Sequence, residues 1–148
     1  MAILDRLFTK NESDKTIVSF DIITLRESGM RYTCEYEIVM KDGKAEVSQY
    51  EIRYNRSEDR RALVRRAVCS ADTVLKLLND CRFISWNGFN GPHPKGVLDG
   101  IMFSLKATVN DGKRITADGS QNFPKHYRDF THGLNNILED SGYETDTE

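Results

Sequence analysis

Three cysteines, three histidines and one arginine-rich run are the side chains of this 148-residue chain from which reactive chemistry could be built. A thiol becomes a nucleophile when a base lies within hydrogen-bond reach and a third group orients that base. Cys69 or Cys81 with His93 is the pairing to weigh, since distance along the chain does not fix distance in space. Cys34, however, falls on the apolar side of a strand pattern and Cys81 closes the apolar stripe of a helix pattern. Buried thiols in such places are commonly structural, so a Cys-His pair is not expected. His126 and His132 stand six residues apart on one helix pattern, which turns them to different faces and argues against a shared metal. No paired-cysteine zinc spacing, His-Glu-x-x-His helix, nucleophile elbow or calcium loop occurs. The expectation is no metal, no cofactor and no assembled catalytic set.

The stretch ISWNGFNGPHPKGVLDG, residues 84–100, holds the only Trp, two of the three Pro, one of the three His and four of the ten Gly. Within it, Gly91-Pro-His-Pro-Lys-Gly96 has the glycine spacing of a phosphate loop. Val97-Leu98 stand where that motif requires Lys and then Ser or Thr, and two prolines remove amides that would cradle phosphate. The phosphate-loop reading therefore fails. Two others remain. As structure, the glycines permit unusual φ, the prolines stiffen the path, and Trp86 with Phe89 plugs the edge of the core. As function, Trp86, Asn87, Asn90, His93, Lys95 and Asp99 have the composition of a recognition surface, and long irregular loops are often functional.

Arg56, Arg60, Arg61, Arg65 and Arg66 form the one basic cluster, interrupted by Glu58 and Asp59. No aromatic residues are interleaved to stack on bases, so a solvated face or a set of local ion pairs is expected before anion or nucleic-acid binding. The net charge of −2 provides no global field for nucleic acid or an anionic membrane. Residues 139–148 carry five acids and no base; taking those from the 23 acids leaves 18 against 21 basic residues in the body. This segment reads as an acidic, solvated tail after a single domain spanning residues 1–138. An odd cysteine count, no basic and apolar leader in Met1–Phe8, and no run near ~20 apolar residues lead to an expectation of a cytoplasmic protein with free thiols and no membrane span.

The elements that must position these residues are legible in the hydrophobic pattern. A short amphipathic turn is expected at Ile3, Leu4, Leu7 and Phe8. Residues 17–25 are rich in β-branched side chains, as strands are. Residues 31–40 alternate, with Tyr32, Cys34, Tyr36, Ile38 and Met40 on one side and Arg31, Thr33, Glu35 and Glu37 on a wet side. Residues 45–54 continue as a third strand whose apolar phase changes between Val47 and Tyr50, which predicts a bulge near Ser48-Gln49. Residues 62–69 fit either a fourth strand or an early helical turn. Asp42-Gly43 and Asp111-Gly112 supply hairpin turns. Ser70 makes an N-cap for a helix bearing Val74, Leu75, Leu77, Leu78 and Cys81. Residues 101–109 and 114–117 form a later hairpin. Pro124 opens a second helix carrying Phe123, Tyr127, Phe130, Leu134, Ile137 and Leu138, with Ser120 or Asn122 placed to satisfy its first amides. The fold class is α+β: an antiparallel sheet of about five to six strands, a three-stranded meander plus a later hairpin, with two helices on one face.

Trp86-Asn-Gly-Phe89, Val97-Leu-Asp-Gly100 and the run from Gly112 to Pro124 together resemble a small α+β domain without an assigned activity, found in proteins of Gram-positive and gut bacteria. In that domain a Trp-Asp/Asn-Gly-Phe loop leads into Leu-Asp-Gly, a hairpin, and Gly-Ser-Asn-x-x-Pro before a helix with aromatic spacing. The resemblance covers roughly residues 68–138, and departs from the pattern at Gly119-Ser-Gln-Asn-Phe-Pro124. It implies a fold unit and carries over no site residue.

The functional expectation is a non-catalytic binding domain for a protein or small ligand, using loop 86–100. A small hydrolase built on His93 and Asp99, with a Cys or an activated water as nucleophile, is the alternative. Anion or nucleic-acid binding through Arg56–Arg66 is the third.

Overall fold

The computed structural model describes residues 15–30, 32–55, 58–92, 94–96 and 100–140. The expected turn at Ile3–Phe8 and residues 141–148 of the acidic tail lie outside the described residues. Four strands come first: β1 (Phe20–Ser28), β2 (Thr33–Lys41), β3 (Lys44–Asn55) and β4 (Glu58–Ser70). Helix α1 (Ala71–Asp80) and a 3-10 turn at Phe83–Trp86 follow. Then come the short β5 (Asn90–Gly91), the hairpin of β6 (Met102–Val109) and β7 (Lys113–Ser120), and helix α2 (Tyr127–Asp140). The α+β expectation holds, with two corrections. The sheet has seven strands, in the order β4-β3-β2-β1-β6-β7-β5, and β5 runs parallel to β7, so the sheet is mixed. A two-residue strand is too short to show any period, which is why β5 is invisible in the pattern.

Residues 62–69 belong to β4, which pairs with β3 along its whole length. Asp42 (φ 54°) and Gly43 (φ 78°) make the two-residue turn that joins β2 to β3, the geometry that matches strand twist in a tight hairpin. The phase change in the third strand has a different cause from the one expected. β3 pairs with β2 residue for residue and has no bulge against it. Tyr50 and Ile52 therefore point to the face opposite Ala45 and Val47. The extra residue is in β4, where the register passes from Gln49↔Arg65 to Tyr50↔Leu63 and leaves Val64 over.

Both helices cover the face that carries Ile23, Leu25, Ile38, Val47, Ala67, Leu105 and Ile115, and these residues share one core cluster with Val74, Leu78, Phe130, Leu134 and Leu138. Ser70 caps α1 by accepting from the Thr73 amide at 3.2 Å, and Asp72 in the first turn suits the positive end of the helix dipole. The helices meet where Gly133 lies against Leu77, so closely that a Cβ there would overlap the leucine. Helix α2 continues through Asp140, which makes the first two acids of the expected tail helical. Among the described residues no helix is long and apolar enough to cross a membrane.

Candidate functional site

The loop that dominates the sequence by composition sits at the β7 edge of the sheet. Trp86 is 1% exposed. Its ring packs against Phe83, Tyr127 and Phe130 at centroid distances of 4.9, 5.9 and 5.5 Å, and its indole N–H donates to the Lys125 carbonyl at 3.0 Å. Asn87 is exposed, yet its Oδ1 accepts from the Thr116 amide of β7 at 3.0 Å, and the Gly88 amide donates to the Thr116 carbonyl at 2.8 Å. The Asp118 amide donates to the Phe89 carbonyl at 3.0 Å, and Asn90 and Gly91 then pair with Asp118 and Gly119. An open strand edge invites pairing with another chain, and residues 87–91 occupy this one. A Cβ at Gly91 or Gly119 would collide with Asn122. The Asn122 amide group donates to the Pro92 carbonyl, so Asn122 ties down the loop and its side chain serves there rather than at the start of α2. Lys95 is exposed, and His93 and Asp99 lie outside the described residues.

On the opposite face of the sheet, which no described helix covers, the β2–β4 end carries a preformed ion network. The Glu35 side chain is 8% exposed. Arg26 donates to its Oε1 at 3.3 Å and Arg61 to its Oε2 at 2.9 Å, while the same Arg61 nitrogen reaches Glu37 at 3.2 Å. The Arg61 guanidinium lies 4.0 Å over the Tyr50 ring, a cation–π placement that also shields the carboxylate from water. Arg66 donates to Ser48 at 3.0 Å and to the Tyr50 hydroxyl at 3.1 Å, with Glu46 at 3.5 Å. The strand side expected to be wet is thus buried here: Thr33, Glu35 and Ser48 are all buried polar residues. Tyr50 and Ile52, turned to this face by the unbroken register of β3, supply the cover.

The β1–β6–β7 end of the same face is different. Cross-strand register places Thr24, Lys106 and Thr116 in one row, Ile22, Thr108 and Arg114 in the next, and Arg26, Ser104 and Asp118 on the other side. A cleft of about 410 Å³ lies over Ile22, Thr24, Lys106, Thr108, Arg114 and Thr116. A second, of about 340 Å³, lies over Thr24, Arg26, Glu35, Ser104 and Lys106. The two share Thr24 and Lys106. Among the described residues, neither Lys106 nor Arg114 makes a side-chain hydrogen bond or ion pair, in contrast to Arg61, Arg65 and Arg66.

The thiols are chemically quiet. Burial, followed by the charges of Glu27 and Glu35, pushes the Cys34 thiol up to about 11. Burial, with Asp129 and Asp80 behind it, does the same for Cys81, and burial alone raises Cys69. A thiol held in this range is almost wholly protonated near neutral pH. His126 pairs with Asp129 at 3.1 Å and with no cysteine. Among the described residues, no three His, Cys, Asp or Glu side chains gather as a metal cluster. Beneath α2, the Tyr127 hydroxyl donates to Glu27, and burial first, then that carboxylate, drives its pKa upward. Asn135 Oδ1 accepts from Tyr36 at 3.1 Å and from Arg65 at 2.9 Å. These bonds pin the helix to the sheet.

Three arginines of the basic run are likewise occupied. Arg65 donates twice to Gln49, at 2.9 and 2.7 Å, and approaches Glu139 at 3.8 Å. A solvated face or local ion pairs were expected for this segment; Arg61, Arg65 and Arg66 instead pair with Glu35, Glu37, Glu139 and Glu46 from other elements. The sequence pattern did not single out the open face. Its only local signal was the alternation of Thr, Lys and Ser through residues 104–108 and 114–116, which is ordinary for a solvated strand. Comparison with family models, with curated proteins and with solved structures returns no match.

Proposed function

We propose that the chain is a non-catalytic binding module and that its ligand sits on the open sheet face over β1, β6 and β7. The observation that carries this reading is the pair of adjoining clefts sharing Thr24 and Lys106, beside a rigid ion network and next to two cations with no described partner. Binding sites combine a preformed concavity with a few polar groups free to bond a ligand, and this face offers both. The loop reading is weaker by the same measure, because Trp86 is in the core and Asn87 is bonded to β7. A thiol hydrolase is disfavoured by the raised pKa values of all three cysteines. Anion binding through Arg56–Arg66 competes with the partners that Arg61, Arg65 and Arg66 already have.

The test is a thermal-shift screen of a metabolite library against the wild type, Thr24→Trp and Asn87→Ala. Thr24→Trp fills the centre of the face without touching the helix side. Ligands that stabilise the wild type and Asn87→Ala but not Thr24→Trp agree with the reading. Ligands that stabilise Thr24→Trp as well as the wild type would sink it.

A further inference from the structure

We infer that the Lys106 cleft takes a small phosphorylated molecule that also bears hydroxyl groups, an inference that rests on the open face being the binding surface. The three rows of the grid divide the labour. Lys106 stands at the centre, with Thr24 and Thr116 directly across from it on the two neighbouring strands. Arg114 lies diagonally from it, in the row of Thr108. Two cations and three hydroxyl donors around one cleft match a tetrahedral oxyanion, which accepts several hydrogen bonds at once and gains most when those bonds are charge-assisted.

The charge pattern favours this end of the face for an anion. Glu35 and Glu37 are held by Arg26 and Arg61, so their charge is locally compensated. Arg114, an arginine with no described partner, adds a planar donor fork of the kind suited to phosphate. Asp118 is the one carboxylate in the grid with no described side-chain partner, and it lies across from Ser104, diagonal to Lys106 and two rows from Arg114. A carboxylate there repels phosphate and accepts from hydroxyls. The phosphate is therefore directed toward Lys106, Thr108 and Arg114, and the hydroxyls of the same ligand toward Ser104 and Asp118. Adjoining clefts of about 410 and 340 Å³ accommodate a molecule larger than phosphate alone and fall in the range of small-molecule sites.

The experiment titrates ribose 5-phosphate, inorganic phosphate and free ribose into the full chain, read by amide shifts and calorimetry. The same titrations are run on Lys106→Ala, Arg114→Ala and Asp118→Ala, with circular dichroism confirming the fold. Lys106 is exposed, so its removal leaves the core intact. Ribose 5-phosphate is expected to bind saturably, inorganic phosphate more weakly and ribose not at all. Lys106→Ala should weaken ribose 5-phosphate at least tenfold, Arg114→Ala severalfold, and Asp118→Ala should weaken ribose 5-phosphate while leaving inorganic phosphate bound no more weakly. Unsaturable binding of both phosphates, or equal affinity in Lys106→Ala, overturns the inference. If another ligand class then shifts the same open-face amides, only the phosphate assignment has failed. Shifts confined to residues 86–96 defeat the broader reading as well.

Discussion

Segment 86–91 and the open face of β1, β6 and β7 both present polar side chains at one end of the same sheet, and they use them in opposite ways. In the segment, polar groups are bonded inside the molecule: the Trp86 indole to Lys125, Asn87 and Gly88 to Thr116, and Phe89 to Asp118. On the face, Lys106 and Arg114 have no described partner and lie over clefts. A polar group already satisfied has little to offer a ligand, because a new bond must first break an old one. The contrast teaches that the loop closes a strand edge while the face remains free to bind.

The largest expected effect comes from removing the anchor of the loop. Trp86→Ala should destabilise the fold by about 3–5 kcal/mol, as for other buried aromatic truncations, measured by urea unfolding. A Trp86→Ala protein with unchanged stability and lost ligand binding would return recognition to the loop.

Next is the reactivity of the thiols. With Cys34 and Cys81 held at about 11 against about 8.5–9 when unfolded, the native thiolate fraction at pH 8 is lower by roughly a hundredfold. Alkylation of Cys34 and Cys81 by iodoacetamide should therefore be about a hundredfold slower in the folded chain than in urea, read site by site by peptide mass spectrometry. The same shift fixes a sign. The folded state keeps protons that the unfolded state releases, so its stability is fully present below about pH 9 and declines as pH rises toward 11. A melting temperature that rises over that interval would contradict the burial of these groups.

A smaller effect probes the ion network. Arg61→Ala removes the closest donor to a carboxylate that is 8% exposed and should cost about 1–3 kcal/mol. Adding Glu35→Gln should recover part of that loss, since the remaining amide has less charge to bury. If the double variant is less stable than Arg61→Ala, Glu35 is not being held as described. The smallest effect is at the edge: Asn87→Ala should cost about 0.5–1 kcal/mol and raise the tendency of β7 to pair between chains, read by sedimentation at increasing concentration.

Much of the fold was legible because its signals are local. The strand at residues 33–41, the Asp42-Gly43 turn, the Ser70 cap and the apolar stripe from Tyr127 to Leu138 each rest on signals within one element, and each appears where expected, although the in-and-out alternation of that strand does not: Tyr32 is exposed, and Thr33 and Glu35 are buried. Tyr50 and Ile52 misled because their phase was assigned to a bulge, whereas the face they join is partly buried by a cross-strand cluster that only tertiary pairing reveals. Glu35 was equally hidden: its alternation reads as wet, and its burial depends on Arg26, Arg61 and Tyr50 from three other strands. Lys106 and Arg114 had no local mark at all, since what brings them over one cleft is the cross-strand register of β1, β6 and β7.

The most direct test of the account is a map of backbone amide shifts as the wild type is titrated with any ligand that stabilises it. The account predicts the largest shifts at Thr24, Ser104, Lys106, Thr108 and Thr116, on three adjacent strands of the open face. Shifts that cluster instead in residues 86–96, with those five amides unmoved, would contradict it.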